Sequence, residues 1–215
     1  MVQHVVDQVK QCERVRQVIV ATDDMRVVDA LRHFGTTCVM TSPAHQSGTD
    51  RVAEVAGELD DDIIVNVQGD EPEIEPHVVD GLIERMEEHD DDLATAATPF
   101  KSIADVQNPN MVKVVVSEGG HALYFSRSPI PYDRDGRLND PSQWKLHLGI
   151  YAYRRKFLLE FANWPPTMLE QTEKLEQLRA LEHGRKIYVM PVERATSGID
   201  TPQQYEEFLR RVASR

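Results

Sequence analysis

The 215-residue sequence has only two cysteines, Cys12 and Cys38, and neither lies in a metal-ligand or C-x-x-C spacing. That excludes a disulfide-stapled fold and a cysteine-held metal, and both thiols are expected to be reduced in a cytoplasmic protein. Long apolar runs are also missing. None reaches the roughly 20 residues needed to span a bilayer, and Met1–Lys10 has no signal-peptide core. Positive charge is scarce: 24 Lys and Arg stand against 36 Asp and Glu, a formal net charge of −12. This balance argues against broad, charge-driven nucleic-acid binding, although a local basic patch could hold one anionic ligand. Repeats and low-complexity segments are absent. What remains, 40% apolar and 28% charged residues, is the composition of an ordinary globular protein.

The apolar pattern alternates between strand and helix. Val2, Val5, Val6 and Val9 mark one face of a helix at the start of the chain. Val18–Ala21 reads as a buried strand, and Thr22, Asp23 and Asp24 offer caps for a helix through Phe34, with Gly35 at its end. Strands are expected at Thr37–Thr41, Ile63–Val67 and Leu93–Thr98, with helices to Leu59 and over Pro76–His89. This rhythm indicates βαβ units and a mostly parallel sheet. The rhythm then changes. Val112–Val116 and Ala122–Phe125 flank a turn at Glu118-Gly119-Gly120 and read as a hairpin, and Pro129–Pro141 reads as an exposed loop. Strands at Leu148–Tyr153 and Ile187–Val192 and helices at Met168–Leu181 and Pro202–Val212 complete the chain, the last with Thr201 as its N-cap. The fold class is α/β: one domain over 1–215, with a first half of about 1–100, a mixed half of about 101–215 and an inserted hairpin subdomain. The acidic runs Asp60–Asp62 and Asp90–Asp92 are expected to be turns between helix and strand, not metal sites.

Four groups of residues could carry chemistry. In V-Q-G-D-E-P, a buried strand ends at Val67 and polar residues follow at once. Ligands of open α/β sheets bind outside the carboxyl ends of strands. Gly69 permits close backbone approach, and Asp70 presents a carboxylate suited to Mg²⁺ and substrate phosphates. The same residues also make an ordinary turn. In S-G-I-D-T-P, Asp200 is left free by the capping role of Thr201, so Asp70 and Asp200 could hold one cation together. In H-Q-S-G-T-D-R, Ser47 and Gly48 precede a helix whose free N–H groups can accept a base or phosphate, and Arg51 adds a fixed positive fork. Simple capping, with Asp50 and Glu54 in the early turns, explains the string equally well. The last group lies in the mixed half: Arg127, His147, Tyr151, Glu176 and Gln177. An Arg could pair with a substrate carboxylate and the others could bind sugar hydroxyls. His147 and Tyr151 share a face if they lie on one strand.

Taken in order, H-Q-S-G-T-D-R, V-N-V-Q-G-D-E-P, N-P-N-M-V-K-V-V, A-L-Y-F-S-R-S-P-I-P, H-L-G-I-Y-A-Y and L-E-Q-L-R resemble the 3-deoxy-manno-octulosonate (Kdo) cytidylyltransferases, also called CMP-Kdo synthetases, over essentially the whole chain. The resemblance implies a nucleotidyltransferase fold, a Mg²⁺-dependent homodimer and the reaction CTP + Kdo → CMP-Kdo + pyrophosphate, which supplies lipopolysaccharide synthesis. It implies that Asp70 and Asp200 bind the metal, and that Ser47, Gly48 and Arg51 receive the cytidine part of CTP. It places Gln68, Arg127, His147, Tyr151, Glu176 and Gln177 along the Kdo pocket, and assigns no contact to His45 or Gln46. A cytidylyltransferase for another sugar acid, such as sialic acid or an amino analogue of Kdo, and a non-catalytic sugar-acid-binding chain are the alternatives.

The sequence departs from the family in one respect. Members begin with a strand and a loop of the pattern P-A-R-x-x-S-x-R-x-P-x-K, which holds the triphosphate, and no such segment precedes Val2–Val9 here. The resemblance puts that strand between those at Val18–Ala21 and Ile63–Val67. The expectations are a first central strand missing, two inner strand edges left unpaired, and impaired triphosphate binding.

Overall fold

The computed structural model describes residues 1–136, 140–194, 198–199 and 201–213. Asp200, and part of the Pro129–Pro141 loop, therefore lie outside the described residues.

The valine stripe of α1 (Val2–Val9) buries Val5, Val6 and Val9. β1 (Ile19–Thr22) leads into α2 (Met25–Leu31), whose cap is Asp24, accepting from the Arg26 N–H at 2.8 Å. A short 3₁₀ turn then closes on Gly35, whose φ of 65° is left-handed, and β2 (Thr37–Met40) pairs parallel with β1. α3 (Gly48–Gly57), β3 (Ile63–Asn66), α4 (Pro76–Glu88) and β4 (Leu93–Pro99) continue the alternation. α5 (Ile103–Gln107) precedes the hairpin of β5 (Lys113–Val116) and β6 (Ala122–Ser126). β7 (Lys145–Arg154), α6 (Arg155–Phe161), α7 (Met168–Glu173), α8 (Gln177–Glu182), β8 (Ile187–Pro191) and α9 (Pro202–Ala213) complete the described chain. Thr201 caps α9 as expected: its hydroxyl accepts from the Gln204 N–H at 3.2 Å.

The main sheet has the order β6-β5-β7-β4-β8, and β3 joins the edge of β7 beyond β5. β7 runs against β3, β4 and β5, so β3, β4, β5 and β8 share one direction while β6 and β7 oppose it. β7 lies at the centre, and β4 beside it is built mostly of small residues buried on both faces. Alternation sends Leu93 and Ala97 to one core, with Phe125, Phe157, Phe161 and Leu178. Ala94 and Ala96 go to the other, with Val79, Leu82, Ile83 and Met86 of α4.

β1 and β2 form a separate two-stranded sheet. β1 and β3 begin side by side, because Gln17 donates to Asp61 at 2.8 Å and Arg16 pairs with it at 3.0 Å. No ladder joins the two strands among the described residues. Between them runs a cavity of about 790 Å³, lined by Ile19, Val20 and Ala21 on one side and by Ile63, Ile64 and Val65 on the other. Its walls include Val2, Val5, Val6 and Val9 of α1, and it also reaches Gly48, Arg51, Gln68 and Gly69.

One expected element differs. The helix expected over Met168–Leu181 is two helices, broken at Lys174, which takes a left-handed φ of 54°. The break turns the carbonyls of Glu173 and Lys174 outward, where the Arg127 guanidinium takes both. Periodicity cannot register such a break, because Lys is an acceptable helix residue and its partner lies 47 positions away.

Candidate active site

The Q-G-D-E turn sits beyond the end of β3 and over β7. A methyl group at Gly149 of β7 would stand 3.8 Å from Gln68 Cγ and 3.9 Å from Glu71 Oε1, so both side chains lie over this glycine. Burial, helped by the charge of Asp70, pushes the Glu71 carboxyl up to about 7. The Asp70 carbonyl accepts from the Ile199 N–H at 2.9 Å. A methyl at Gly198 would stand 3.9 Å from Asp70 Oδ2. The segment leading to Asp200 therefore docks on Asp70. Two adjacent carboxylates, with no side-chain partner for Asp70 among the described residues, suit a hard cation.

The nucleotide loop is the N-terminal turn of α3. Ser47 is the N-cap, and its hydroxyl accepts from the Asp50 N–H at 3.1 Å. Gly48 is exposed, with open space where a side chain would project. Arg51 is held at both ends of its fork, 2.5 Å from Thr41 Oγ1 and 3.0 Å from Asp23 Oδ2. His45 is bonded to Glu54, whose carboxyl is held low first by the Ser42 N–H and then by His45.

His147 and Tyr151 do share a face of β7, with ring centroids 5.4 Å apart. The register shifts between Thr95 and Ala96, placing Tyr151 opposite Thr95 and His147 opposite Ala97. The Thr95 hydroxyl points to the Ile150 carbonyl at 2.7 Å and lies 3.0 Å from His147 Nε2. That arrangement makes Nε2 the donor and leaves Nδ1 as an acceptor. Packing against Phe125 and Tyr151 desolvates the imidazole and pushes its pKa down to about 3. Burial pushes the Tyr151 hydroxyl well up, so both groups are neutral near pH 7. The unfolded chain takes up a proton at this histidine below about pH 6.5, whereas the fold refuses it until near pH 3. Stability is therefore complete above pH 6.5 and falls as the pH drops toward 3, by about 1–2 kcal/mol at pH 5. In urea titrations at pH 7 and pH 5, His147→Gln should lose less stability on acidification than the unmutated chain.

The Arg127 guanidinium meets three main-chain carbonyls. Nε donates to the Glu173 carbonyl at 2.7 Å, Nη1 to Pro109 at 3.0 Å and Nη2 to Lys174 at 3.2 Å. The fork fastens the hairpin to the N-P-N loop and the helix break. Lys113, fully buried, reinforces it by donating to the carbonyls of Asn108 and Arg127.

Glu176 is the junction of the site. Its Oε2 accepts from the Thr49 hydroxyl, and its Oε1 lies 3.0 Å from Arg179 Nη2. The neighbouring Gln177 is 6% exposed, and its Nε2 has no hydrogen-bond partner among the described residues. A buried orphan donor costs about 1–3 kcal/mol, a penalty that a ligand's acceptor atom removes. Thr49, Glu71, Thr95, Lys113 and Arg179 were not anticipated as parts of this site. The only local clue was the three-residue spacing of Glu176 and Arg179, which permits a pair on one helical turn.

The comparisons with known proteins point the same way. A sequence model of the family described as cytidylyltransferase matches residues 1–187. A 3-deoxy-manno-octulosonate cytidylyltransferase of Geotalea daltonii is 50% identical, over all of this chain and 88% of the relative. The chain belongs to the 3-deoxy-manno-octulosonate cytidylyltransferase family. The enzyme of that name from Rhodopirellula baltica is 44% identical over all of this chain and 89% of its own. A solved CMP:2-keto-3-deoxy-manno-octonic acid synthetase in complex with CTP superposes with a TM-score of 0.93 at 42% identity, covering 99% of this chain and 87% of that one. A 4-diphosphocytidyl-2C-methyl-D-erythritol synthase from Anaerococcus prevotii shares the fold alone, with a TM-score of 0.64 at 14% identity over 100% of this chain and 89% of its own.

Proposed function

We propose that this chain transfers CMP from CTP to Kdo and releases pyrophosphate. The observation that carries the reading is the arrangement of Asp70, the α3 turn and a wall of His147, Tyr151, Glu176 and Gln177 in a member of this family. Asp70, together with Asp200, would hold Mg²⁺. Bound there, the ion would offset charge on the phosphate oxygens and favour ionisation of the attacking hydroxyl. The Ser47–Gly48 turn and Arg51 would receive the cytidine part. Neutral His147 and Tyr151 and the free amide of Gln177 would orient the sugar acid, and the open side of Glu176 would accept from its hydroxyls. Such a wall acts by positioning, which is worth most in a transfer that needs in-line approach and no covalent enzyme intermediate. Arg127 would shape the pocket from behind, through Glu173 and Lys174. The two free cysteines suit a reducing cytoplasm, and among the described residues no helix is long and apolar enough to cross a membrane.

A pyrophosphate-release assay tests the reading. Release from CTP should require both Kdo and Mg²⁺, and sialic acid should replace Kdo poorly. Preference for sialic acid, or release without any sugar acid, would overturn it.

A further inference from the structure

We infer that Thr49 is a positioning residue that couples the nucleotide turn to the sugar-acid wall, an inference that rests on the function proposed above. Thr49 is the second residue of α3 and only 5% exposed. Its hydroxyl reaches across 127 positions to Glu176. The other oxygen of Glu176 is fixed by Arg179, which has no freedom of its own. Arg179 Nε and Nη2 bond Glu170 at 2.8 and 2.7 Å, and Nη1 bonds the carbonyls of Phe161 and Trp164 at 3.2 and 3.3 Å. All five of its N–H groups thus have an acceptor once Glu176 is counted.

Glu176 is therefore gripped from two sides, one rigid and one belonging to the nucleotide turn. Its side chain stays 25% exposed, so the remaining face is open to a ligand. On the same side of the wall, the Tyr151 ring lies 5.4 Å from that of His147 and 5.9 Å from that of Tyr153. A ligand that orders the first turn of α3 orders Thr49. Thr49 in turn orders the acid of the wall. Linkage makes the effect reciprocal: each ligand tightens the other by the same factor.

Calorimetry with Kdo, in the absence and presence of saturating CMP, reads this directly, since CMP has no pyrophosphate to lose. In the unmutated chain CMP should tighten Kdo binding about fivefold or more. Thr49→Val keeps the shape and removes the hydroxyl. The ratio should then fall to about one. Thr49→Ser should restore the ratio, which a merely structural role would not predict. Thr49→Ala removes the same hydroxyl with a smaller side chain and should also lower the ratio, so the test survives poor folding of Thr49→Val. A ratio near one in the unmutated chain, or an unchanged ratio in Thr49→Val or Thr49→Ala, would overturn the coupling while leaving the proposed function in place. Failure of the unmutated chain to bind either ligand would overturn both.

Discussion

Asp70→Asn should reduce pyrophosphate release by about 10³-fold, the scale set by removing a principal electrostatic contact to a transition state. The change keeps the size of the side chain and removes its charge. The one bond that Asp70 is seen to make to the 198–199 segment uses its carbonyl, which the substitution leaves in place. Fold and loss of activity should therefore separate: the melting temperature should move by no more than a degree or two while turnover collapses. Asn removes one of the carboxylate charges proposed to hold the ion, so Mg²⁺ should also be needed at higher concentration. Steady-state rates over a Mg²⁺ series, beside a thermal melt, check all three statements. A loss below tenfold would remove Asp70 from its assigned role.

Arg179→Met should be the most destabilising of the charge-removing substitutions, at about 3–5 kcal/mol. The guanidinium is buried against Phe161 and holds Glu170 and Glu176. Methionine fills similar space but leaves two carboxylates without their cation and two carbonyls without a donor. Trp164 lies beside the lost group, and its fluorescence should report a transition lowered by roughly 10 °C. Arg179→Met combined with Glu170→Leu should regain part of the loss, because the uncompensated charge goes with it. Arg14 is a useful contrast. It pairs with Glu84 and Glu87 on the surface, and Arg14→Ala should cost no more than about 1 kcal/mol.

What the sequence made legible follows from how local each signal is. The stripe of Val2, Val5, Val6 and Val9 and the left-handed Gly35 depend on neighbours within a few residues, and both appear where expected. So does the shared face of His147 and Tyr151, because strand alternation needs no partner to be read. The break at Lys174 was invisible, since its cause is the reach of Arg127 from the hairpin. For the same reason the three carbonyls that Arg127 meets could not be read from F-S-R-S-P. α5 and α6, of five and seven residues, were too short for the apolar period to repeat clearly. Thr49 looked like an ordinary early-helix residue, and only the fold brings Glu176 to its hydroxyl.

The cavity between β1 and β3 has a thermodynamic meaning. A sheet transmits cooperativity along its ladder, and here no ladder crosses from the pair β1–β2 to the larger sheet among the described residues. The small pair is tied on by side chains and packed helices, which give way piecemeal. Its free energy of opening should lie below that of the body, making it a separate foldon. Arg51 takes both of its partners, Thr41 and Asp23, from that small unit, whereas Glu176 belongs to the large one. On gentle heating the chain should thus lose its grip on the nucleotide while its sugar-acid wall still stands. A calorimetric scan would then record two heat absorptions where a continuous sheet would give one.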